Sequence, residues 1–464
     1  MRIDGGNILV VGLGRTGQAV LDFLVARARE GAPLSLFARD EHDTEPLREV
    51  AHRYGELGVE VRLGTEDADG DWDAIVMSPG VAPWRAVHES AVATGAPILS
   101  EIELAWAHSE APFVAVTGTN GKTTTTSLTE HLLVASGVDA RAVGNIDPPA
   151  IEVAPHAGAD SVMVCEVSSF QLSGIWDFHP EVSVLLNITP DHLDWHGSME
   201  RYAMDKGRIF ENQCGSDLAV VCVDDPGAAA MVDRARARGV RVCPVSLEYA
   251  HPGGAYVKDG RLVVERPDGP VELARVDEIP LRGDHNLLNA LAASAAALEM
   301  GAEPGLVAMG LTSYEPLAHR LETVDVVGGV EFVNDSKATN PDAVVKALTA
   351  YRDRGVVLLM GGRNKGYSFA TVAASLPDAL KAVVAFGESR GEIARDLGGK
   401  ARVVEAPALE EAVAVAAELA RPGDVVLLSP GCASFDEFSG YAERGREFAR
   451  FVAALPRTGV GDGG

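Results

Sequence analysis

The sequence predicts an α/β protein of three tandem domains, and three observations carry that prediction. Short β-branched apolar runs alternate with stretches of helical periodicity, the pattern of strand–helix–strand units and largely parallel sheets. Polar, glycine-bearing motifs stand at the ends of those runs, where ligands of such sheets bind. The 464 residues suffice for two to four domains, each able to bury its own core. The domains are placed at 1–100, 101–316 and 317–464.

In the first domain, residues 7–11 read as a strand. Gly12-Leu13-Gly14-Arg15-Thr16-Gly17 then completes a G-x-G-x-x-G before a helix over 18–28. The domain is therefore Rossmann-like, and NAD or NADP is one reading of the turn. A dinucleotide site wants an acid after the second strand. That strand, 34–38, ends in Arg39-Asp40, where Arg39 could suit a 2′-phosphate and Asp40 is a late candidate for the ribose. A nucleotide diphosphate held by the same geometry is the preferred reading, with an NAD(P)-dependent dehydrogenase as the alternative. A third strand, 74–77, closes in Ser78-Pro79-Gly80.

The central domain is organised around PFVAVTGTNGKTTTT. Residues 113–116 form a buried strand, and Gly118-Thr119-Asn120-Gly121 lead into a helix starting at Lys122-Thr123-Thr124 and stopping near Gly137. Backbone amides and the helix dipole converge there, which favours phosphate. Lys122 would lie along the β/γ-phosphates and the Thr123 hydroxyl would bind Mg²⁺. Val116 stands where the longer P-loop spacing has a further glycine. A strand over 161–165 ends at Glu166, placed for a second Mg²⁺ ligand. Another, 182–186, delivers Asn187 and Thr189-Pro190-Asp191-His192-Leu193-Asp194, a set suited to metal or phosphate, or to a capped loop. Lys206, taken alone, reads as surface charge, although lysine is scarce here, with eight in the chain. A hairpin-like stretch covers 246–278, with turns at Lys258-Asp259-Gly260 and Pro267-Asp268-Gly269. Gly283-Asp284-His285-Asn286 opens a helix bearing Asn289 on the same face.

The third domain is again Rossmann-like. Strands over 330–333, 356–360, 383–386 and 425–428 lead into NDSKATNP, GGRNK, GES and SPGCAS, so that all four motifs could face one crevice. Pro341 suits the first position of a helix. The glycine-rich tail from Pro456 is expected to be disordered.

A net charge of −27 argues against nucleic-acid and anionic-membrane partners. No apolar run approaches the length of a membrane span and no signal-peptide pattern is present, so a cytoplasmic protein is expected. Cys165, Cys214, Cys222, Cys243 and Cys432 show no C-x-x-C pairing and are expected to be reduced.

Taken together, GTNGKTT, EVSSFQL, NITPDHLD, GDHNLLNA, His319-Arg320, NDSKATNP, MGGRNKG and LLSPGCASFDEF closely resemble the Mur ligases, from Gly12 to about Ala449. SSFQL, DSKATNP and SPGCASFD are the specific pieces. GTNGKT is shared across the superfamily, including folylpolyglutamate synthetases. The nearest resemblance is to the branch that joins D-glutamate to UDP-N-acetylmuramoyl-L-alanine. What it implies is a P-loop-type central ATPase domain, an acyl-phosphate intermediate, ATP and two Mg²⁺ ions. A ligase with another amino acid and a non-catalytic ATP-binding module are further alternatives.

The resemblance also implies site residues. Gly118 to Thr124, Asn286, Asn289, His319, Arg320, Asp335 and Lys337 match the ATP site at the central/C-terminal junction. Thr123, Glu166, His192 and Lys206 match metal ligands, Lys206 as a carbamylated lysine. Lys122, Glu166, His192 and Lys206 would be the catalytic group. Arg15, Thr16, Arg39, Ser78, Asn145, Gln171 and His192 match the UDP-substrate site. Thr339, Lys365, Ser434, Phe435 and Tyr441 match the D-glutamate site. A monomer is expected. Arg15, where the family has an apolar residue, Asp147, where glycine is usual, and Tyr441, where phenylalanine also occurs, depart from the pattern. They touch the outer substrate pockets and not the phosphate chemistry.

Overall fold

Runs of branched apolar side chains set the strands, and the computed structural model, which describes residues 1–456, arranges them in three sheets. The glycine-rich tail beyond Pro456 lies outside the described residues. The first sheet holds β1 (Gly6–Val11), β2 (Leu34–Asp40), β3 (Glu60–Leu63), β4 (Ala74–Met77) and β5 (Ile98–Leu99), all parallel, in the order β3-β2-β1-β4-β5. The second holds β6 (Phe113–Thr117), β7 (Asp139–Gly144), β8 (Ser161–Glu166), β9 (Val182–Leu185), β10 (Leu218–Cys222), β11 (Arg241–Ser246), β12 (Ala255–Lys258), β13 (Arg261–Arg266) and β14 (Gly269–Arg275). Their order is β14-β13-β12-β11-β10-β9-β6-β8-β7, with an antiparallel meander over β12–β14 where the sequence suggested hairpins.

The third sheet holds β15 (Glu322–Val327), β16 (Val330–Asn334), β17 (Val356–Gly361), β18 (Leu380–Phe386), β19 (Val403–Glu405) and β20 (Val425–Gly431), in the order β15-β16-β20-β17-β18-β19. It is parallel apart from β15. Strands β4, β6, β8, β9, β10, β17 and β20 are buried along their whole length, as both faces of a parallel sheet require.

The described chain divides into two compact units. One comprises Met1–Ile279 with Leu288–Tyr314; the other comprises Pro280–Leu287 with the described residues from Glu315. In the first unit the two sheets share one core cluster, while a smaller one around Leu9, Val11 and Ile75 belongs to the first sheet alone. One apolar cluster runs from Ile8 and Val10 through Ile102 and Leu104 to Phe113 and Ala115. In the second unit, clusters around Leu358 and Leu427 and around Leu359 and Leu428 cover opposite faces of β17 and β20.

Element boundaries moved in two places that matter. The first helix spans Arg15–Arg29 and so begins at Arg15, not at 18. Strand β2 runs on to Asp40, and alternation then sends Arg39 and Asp40 to opposite faces. All five cysteines are free thiols, and among the described residues no helix is long and apolar enough to cross a membrane.

Candidate active site

Each glycine turn of the first unit follows a strand with neighbours reached in opposite directions, the position where such sheets open a crevice. The turn after β6 is the more heavily built. Gly121 takes φ 88°, and a methyl group there would fall 2.5 Å from Asn289 Oδ1, so glycine is needed on both counts. Asn289, 4% exposed, is thereby packed against the turn. Val116 is buried inside β6, which runs on to Thr117, and the turn is correspondingly short. Asn187 holds the turn from β9's end: its Oδ1 accepts from Asn120 N (2.8 Å) and its Nδ2 donates to Asn120 O (3.0 Å). The Thr119 hydroxyl donates to Thr189 O (3.1 Å) and lies 2.9 Å from Tyr202 Oη.

Two amines meet at one carbonyl. Lys122 Nζ donates to Gly118 O (2.9 Å) and Thr119 O (3.0 Å), and Lys206 Nζ donates to the same Gly118 O (2.8 Å). Lys206 is no surface charge: it is 2% exposed, with Nζ 4.7 Å from the Tyr202 ring centroid. Burial, then the Lys122 charge, push its pKa well below the usual lysine range, against the pull of Asp191 and Glu166. The reason it misleads in sequence is that the helix Met199–Gly207 turns its last residues inward.

Glu166, 3% exposed, ends β8. Its Oε1 accepts from Asn145 Nδ2 (2.9 Å), whereas its Oε2 is buried with no hydrogen-bond partner. A buried, half-satisfied carboxylate beside a phosphate-type turn fits a cation. Thr123 and Thr124 lie in the first turn of the helix Lys122–Ala135. His192 caps the short helix Leu193–His196 with φ 52°, its backbone N donating to Asp191 Oδ1 (2.9 Å) and its ring packed edge-on against Phe170. Gln171 is buried and closes a capping box with Ser168. A separate group, His179, Cys214 and Asp217, has donor atoms within 4.8 Å of one another, but Asp217 is already taken up by His179 Nε2 (2.7 Å) and Cys214 N (2.6 Å).

The turn after β1 is built from its own sheet. Gly12 has φ 89°, and a methyl group on Gly17 would fall 1.8 Å from Gly12 O. Asp40 Oδ2 accepts from Leu13 N (2.8 Å) and Oδ1 from His42 N (2.9 Å), so this acid serves the turn and is not left for a ribose. Ser78 Oγ donates to Gly12 O (3.0 Å). Arg39 is 3% exposed and faces the other way, donating to Ala38 O (3.0 Å) and lying 3.7 Å from Glu60, with Trp72 at its side. Burial lowers its pKa. Thr16 is half-buried in the first turn of the helix, beside the exposed Arg15. Arg15 is bound by Asp147 (3.1 Å) and by Glu152, which raise its pKa. Two of the departures from the family pattern are therefore one ion pair.

In the second unit, the motifs after β16, β17 and β20 stand at the C-terminal ends of parallel strands. Arg363 and Ala433 bridge two of these loops by reciprocal backbone bonds of 2.8 and 3.1 Å. Asp335 is buried and accepts from Ser429 Oγ (3.0 Å); burial pushes its carboxyl up to about 7, against Ser429 and Arg320. Arg320 Nε is buried without a partner. His319 (φ 64°) has Nδ1 2.9 Å from Asn334 Nδ2, and burial lowers its pKa. Lys337 Nζ lies 5.1 Å from the Tyr441 ring centroid. Ser434 is buried, Thr339 half-buried, and Lys365 and Phe435 are exposed. Asn286 donates through Nδ2 to Arg282 O (2.8 Å).

Sequence reasoning missed several of the residues that hold these loops. Arg444 is fully buried; it donates to Ser336 Oγ (3.0 Å), Ser336 O (2.8 Å) and Cys432 O (3.1 Å), tying NDSKATNP to SPGCAS. Nothing in the YAERGREF stretch distinguishes it from its exposed neighbours. Asn187 was visible at a strand end, and only its partner Asn120 was unknown.

Three family models match the chain: the Mur ligase MurD-like N-terminal domain over residues 6–100, the Mur ligase middle domain over 116–297 and the Mur ligase glutamate ligase domain over 319–432. A UDP-N-acetylmuramoylalanine–D-glutamate ligase of Pelotomaculum thermopropionicum is 42% identical, covering 97% of this chain and 98% of that protein. The Salinibacter ruber ligase of the same name is also 42% identical, over 96% and 97%. The fold matches the UDP-N-acetylmuramate-alanine ligase MurC of Thermotoga maritima (TM-score 0.56, 20% identity, 97% and 100% covered). It likewise matches a pseudomurein peptide ligase type C of Methanothermus fervidus (TM-score 0.59, 18% identity, 97% and 100% covered). With three family models along its length and full-length relatives at this identity, the chain belongs to the Mur ligase family.

Proposed function

We propose that this protein is an ATP-dependent ligase that adds D-glutamate to UDP-N-acetylmuramoyl-L-alanine in peptidoglycan precursor synthesis. The observation that carries the chemistry is the convergence of Lys122, Lys206 and the half-satisfied Glu166 on the turn after β6. The names of full-length relatives support the choice of substrates.

In the first step the alanyl carboxylate attacks the γ-phosphorus of ATP, forming an acyl phosphate and expelling ADP. In the second the amine of D-glutamate attacks the acyl carbonyl, and the tetrahedral intermediate collapses to the amide and inorganic phosphate, the amine proton being lost. Negative charge gathers on phosphoryl oxygens in the first step, where the turn's amides and the Lys122 ammonium stabilise it. Thr123 and Glu166 would hold one Mg²⁺ ion, and His192 with Lys206 a second; when bound, these supply charge neutralisation at the phosphoryl group. Burial disfavours the charged form of Lys206, and the uncharged amine is the form that adds CO₂ to give a carbamate and a proton. That reaction would make Lys206 an oxygen ligand. The assignments to ATP follow the family resemblance: Gly118–Thr124, Asn286, Asn289, His319, Arg320, Asp335 and Lys337. Arg15, Thr16, Ser78, Asn145, Gln171 and His192 are assigned to the sugar nucleotide; Arg39 acts there only through its backbone, since Arg39 O accepts from Gly12 N (2.8 Å). Thr339, Lys365, Ser434, Phe435 and Tyr441 are assigned to D-glutamate, and the protein acts as a cytoplasmic monomer.

Steady-state phosphate release over a panel of amino acids tests the reading. An acceptor with one carboxylate lacks the group that the Lys365 ammonium would pair with. D-glutamate should therefore far outrun D-glutamine and D-alanine, and Lys365→Ala should raise the glutamate KM much more than the ATP KM. Equal rates with D-glutamate and D-glutamine would refute the assignment.

A further inference from the structure

The sugar-nucleotide residues assigned above are distant in sequence, yet one short segment, residues 145–152, gathers three of them, Arg15, Asn145 and Gln171. At its start Asn145 N donates to Glu166 O (2.8 Å) and Asn145 Nδ2 to Glu166 Oε1. The backbone turns back on itself there, Gly144 N donating to Pro148 O (3.1 Å), and a methyl group on Gly144 would fall 2.4 Å from Glu166 O. Further along, Asp147 Oδ1 accepts from Arg15 Nε (3.3 Å) and Nη2 (3.1 Å), while Glu152 accepts from Nη2 (2.9 Å) and Nη1. Near its end, Ile151 N donates to Glu101 Oε1 (2.7 Å), and Glu101 Oε2 accepts from Gln171 Nε2 (3.4 Å).

Glu101 is 1% exposed and has no part in the proposed chemistry. A carboxyl so placed is costly unless its acceptors are used, and here they serve the 145–152 backbone and Gln171. The Gln171 amide has no freedom to turn over, because its Oε1 already accepts from Ser168 N and Ser168 Oγ, both at 3.0 Å. Its Nε2 must face a strong acceptor. Arg15 presents the complementary problem. It is a cation at the first position of a helix, where the dipole opposes positive charge. Asp147 and Glu152 answer that opposition and take four of its five N–H donors, leaving one for an acceptor on a ligand.

We infer that residues 145–152 are a brace for the sugar-nucleotide site: Glu101 is a positioning residue that fixes Gln171 against it, and Asp147 and Glu152 are positioning residues that dock Arg15. The inference rests on the reading of that site as the sugar-nucleotide site. None of the three carboxylates need touch the substrate. Losing one should weaken the sugar nucleotide and leave the other two substrates alone.

The experiment is calorimetric binding of UDP-N-acetylmuramoyl-L-alanine without ATP, joined to the KM of each of the three substrates, on wild type, Glu101→Gln and the double variant Asp147→Asn/Glu152→Gln. Glu101→Gln sets an amide donor against another donor and should raise the sugar-nucleotide Kd and KM about tenfold, the scale of one hydrogen bond to a charged group. The double variant, at the exposed Asp147 and the half-buried Glu152, keeps side-chain size and should raise both about threefold, the scale of a solvent-accessible ion-pair network. The KM values for ATP and D-glutamate should stay within about twofold in each variant, because neither set of contacts reaches their residues. Unchanged sugar-nucleotide affinity in the double variant, or an equal rise in all three KM values, would overturn the brace. A wild type that does not bind the sugar nucleotide at all would overturn the site reading beneath it.

Discussion

The two glycine turns of the first unit occupy equivalent places, after the strand at which each sheet's order reverses, and they are filled in opposite ways. The turn after β1 is closed by its own sheet: Asp40 takes the Leu13 amide and Ser78 takes the Gly12 carbonyl. Its cation, Arg15, sits outside and is paired with Asp147 and Glu152, from the loop and short helix after β7. The turn after β6 has its amines inside, Lys122 and Lys206 sharing Gly118 O, with Asn187 spanning Asn120. The same local geometry thus yields one turn whose polar groups are satisfied by its own sheet and another lined by two amines. The difference comes from residues tens of positions away and not from the glycines.

That contrast can be broken most severely at Lys122. Lys122→Ala should lower phosphate release by about 10²–10³-fold or more, the usual cost of removing a donor aimed at developing charge. Sugar-nucleotide affinity and the melting temperature should hold, since both belong to other parts of the unit. Near-native turnover would end the phosphate-turn assignment.

Lys206 comes next. If it serves as a carbamate, Lys206→Ala should be nearly inactive and should regain part of its rate with added acetate or formate, which can occupy the vacated oxygen position. Activity in CO₂-free buffer equal to that in bicarbonate, with no rescue of the variant, would remove the carbamate.

The turn after β1 is sharpened by a pair of alanine substitutions. Gly17→Ala drives a methyl group into Gly12 O and should destabilise the protein by about 1–3 kcal/mol, the range for overpacking, with a raised sugar-nucleotide KM. Gly14 has φ −68° and no atom within 4 Å of an added methyl group, so Gly14→Ala should cost no more than about 1 kcal/mol, the scale of alanine at a helix N-cap. Thermal melts of the two variants decide the matter, and equal losses would mean that the turn is not held as described.

What could be read from the sequence was what local pattern governs. Buried strands are continuous β-branched runs, and the motif loops stand at their ends, so the three-sheet architecture and the loops GTNGKT, DSKATNP and SPGCAS were visible. Strand ends were less so: two further residues on β2 commit Asp40 to the turn and send the Arg39 side chain to the opposite face. Long-range pairing was not visible at all. Arg15 and Asp147 are separated by 132 positions, and each looked like an isolated departure until the fold brought them to 3.1 Å. Lys206, Glu101 and Arg444 look like ordinary surface residues because a charge in an amphipathic stretch gives no sign of being turned inward; their burial is decided by what packs over them.

The central claim is that the β6 turn activates a carboxylate as an acyl phosphate. The most direct test uses UDP-N-acetylmuramoyl-L-alanine labelled with oxygen-18 in its alanyl carboxylate, turned over with ATP and D-glutamate, with the released phosphate analysed by mass spectrometry. The account predicts one labelled oxygen in each phosphate formed, and loss of that labelled product in Lys122→Ala. Phosphate released by the wild type without the label would show that ATP is hydrolysed by water and would contradict the account.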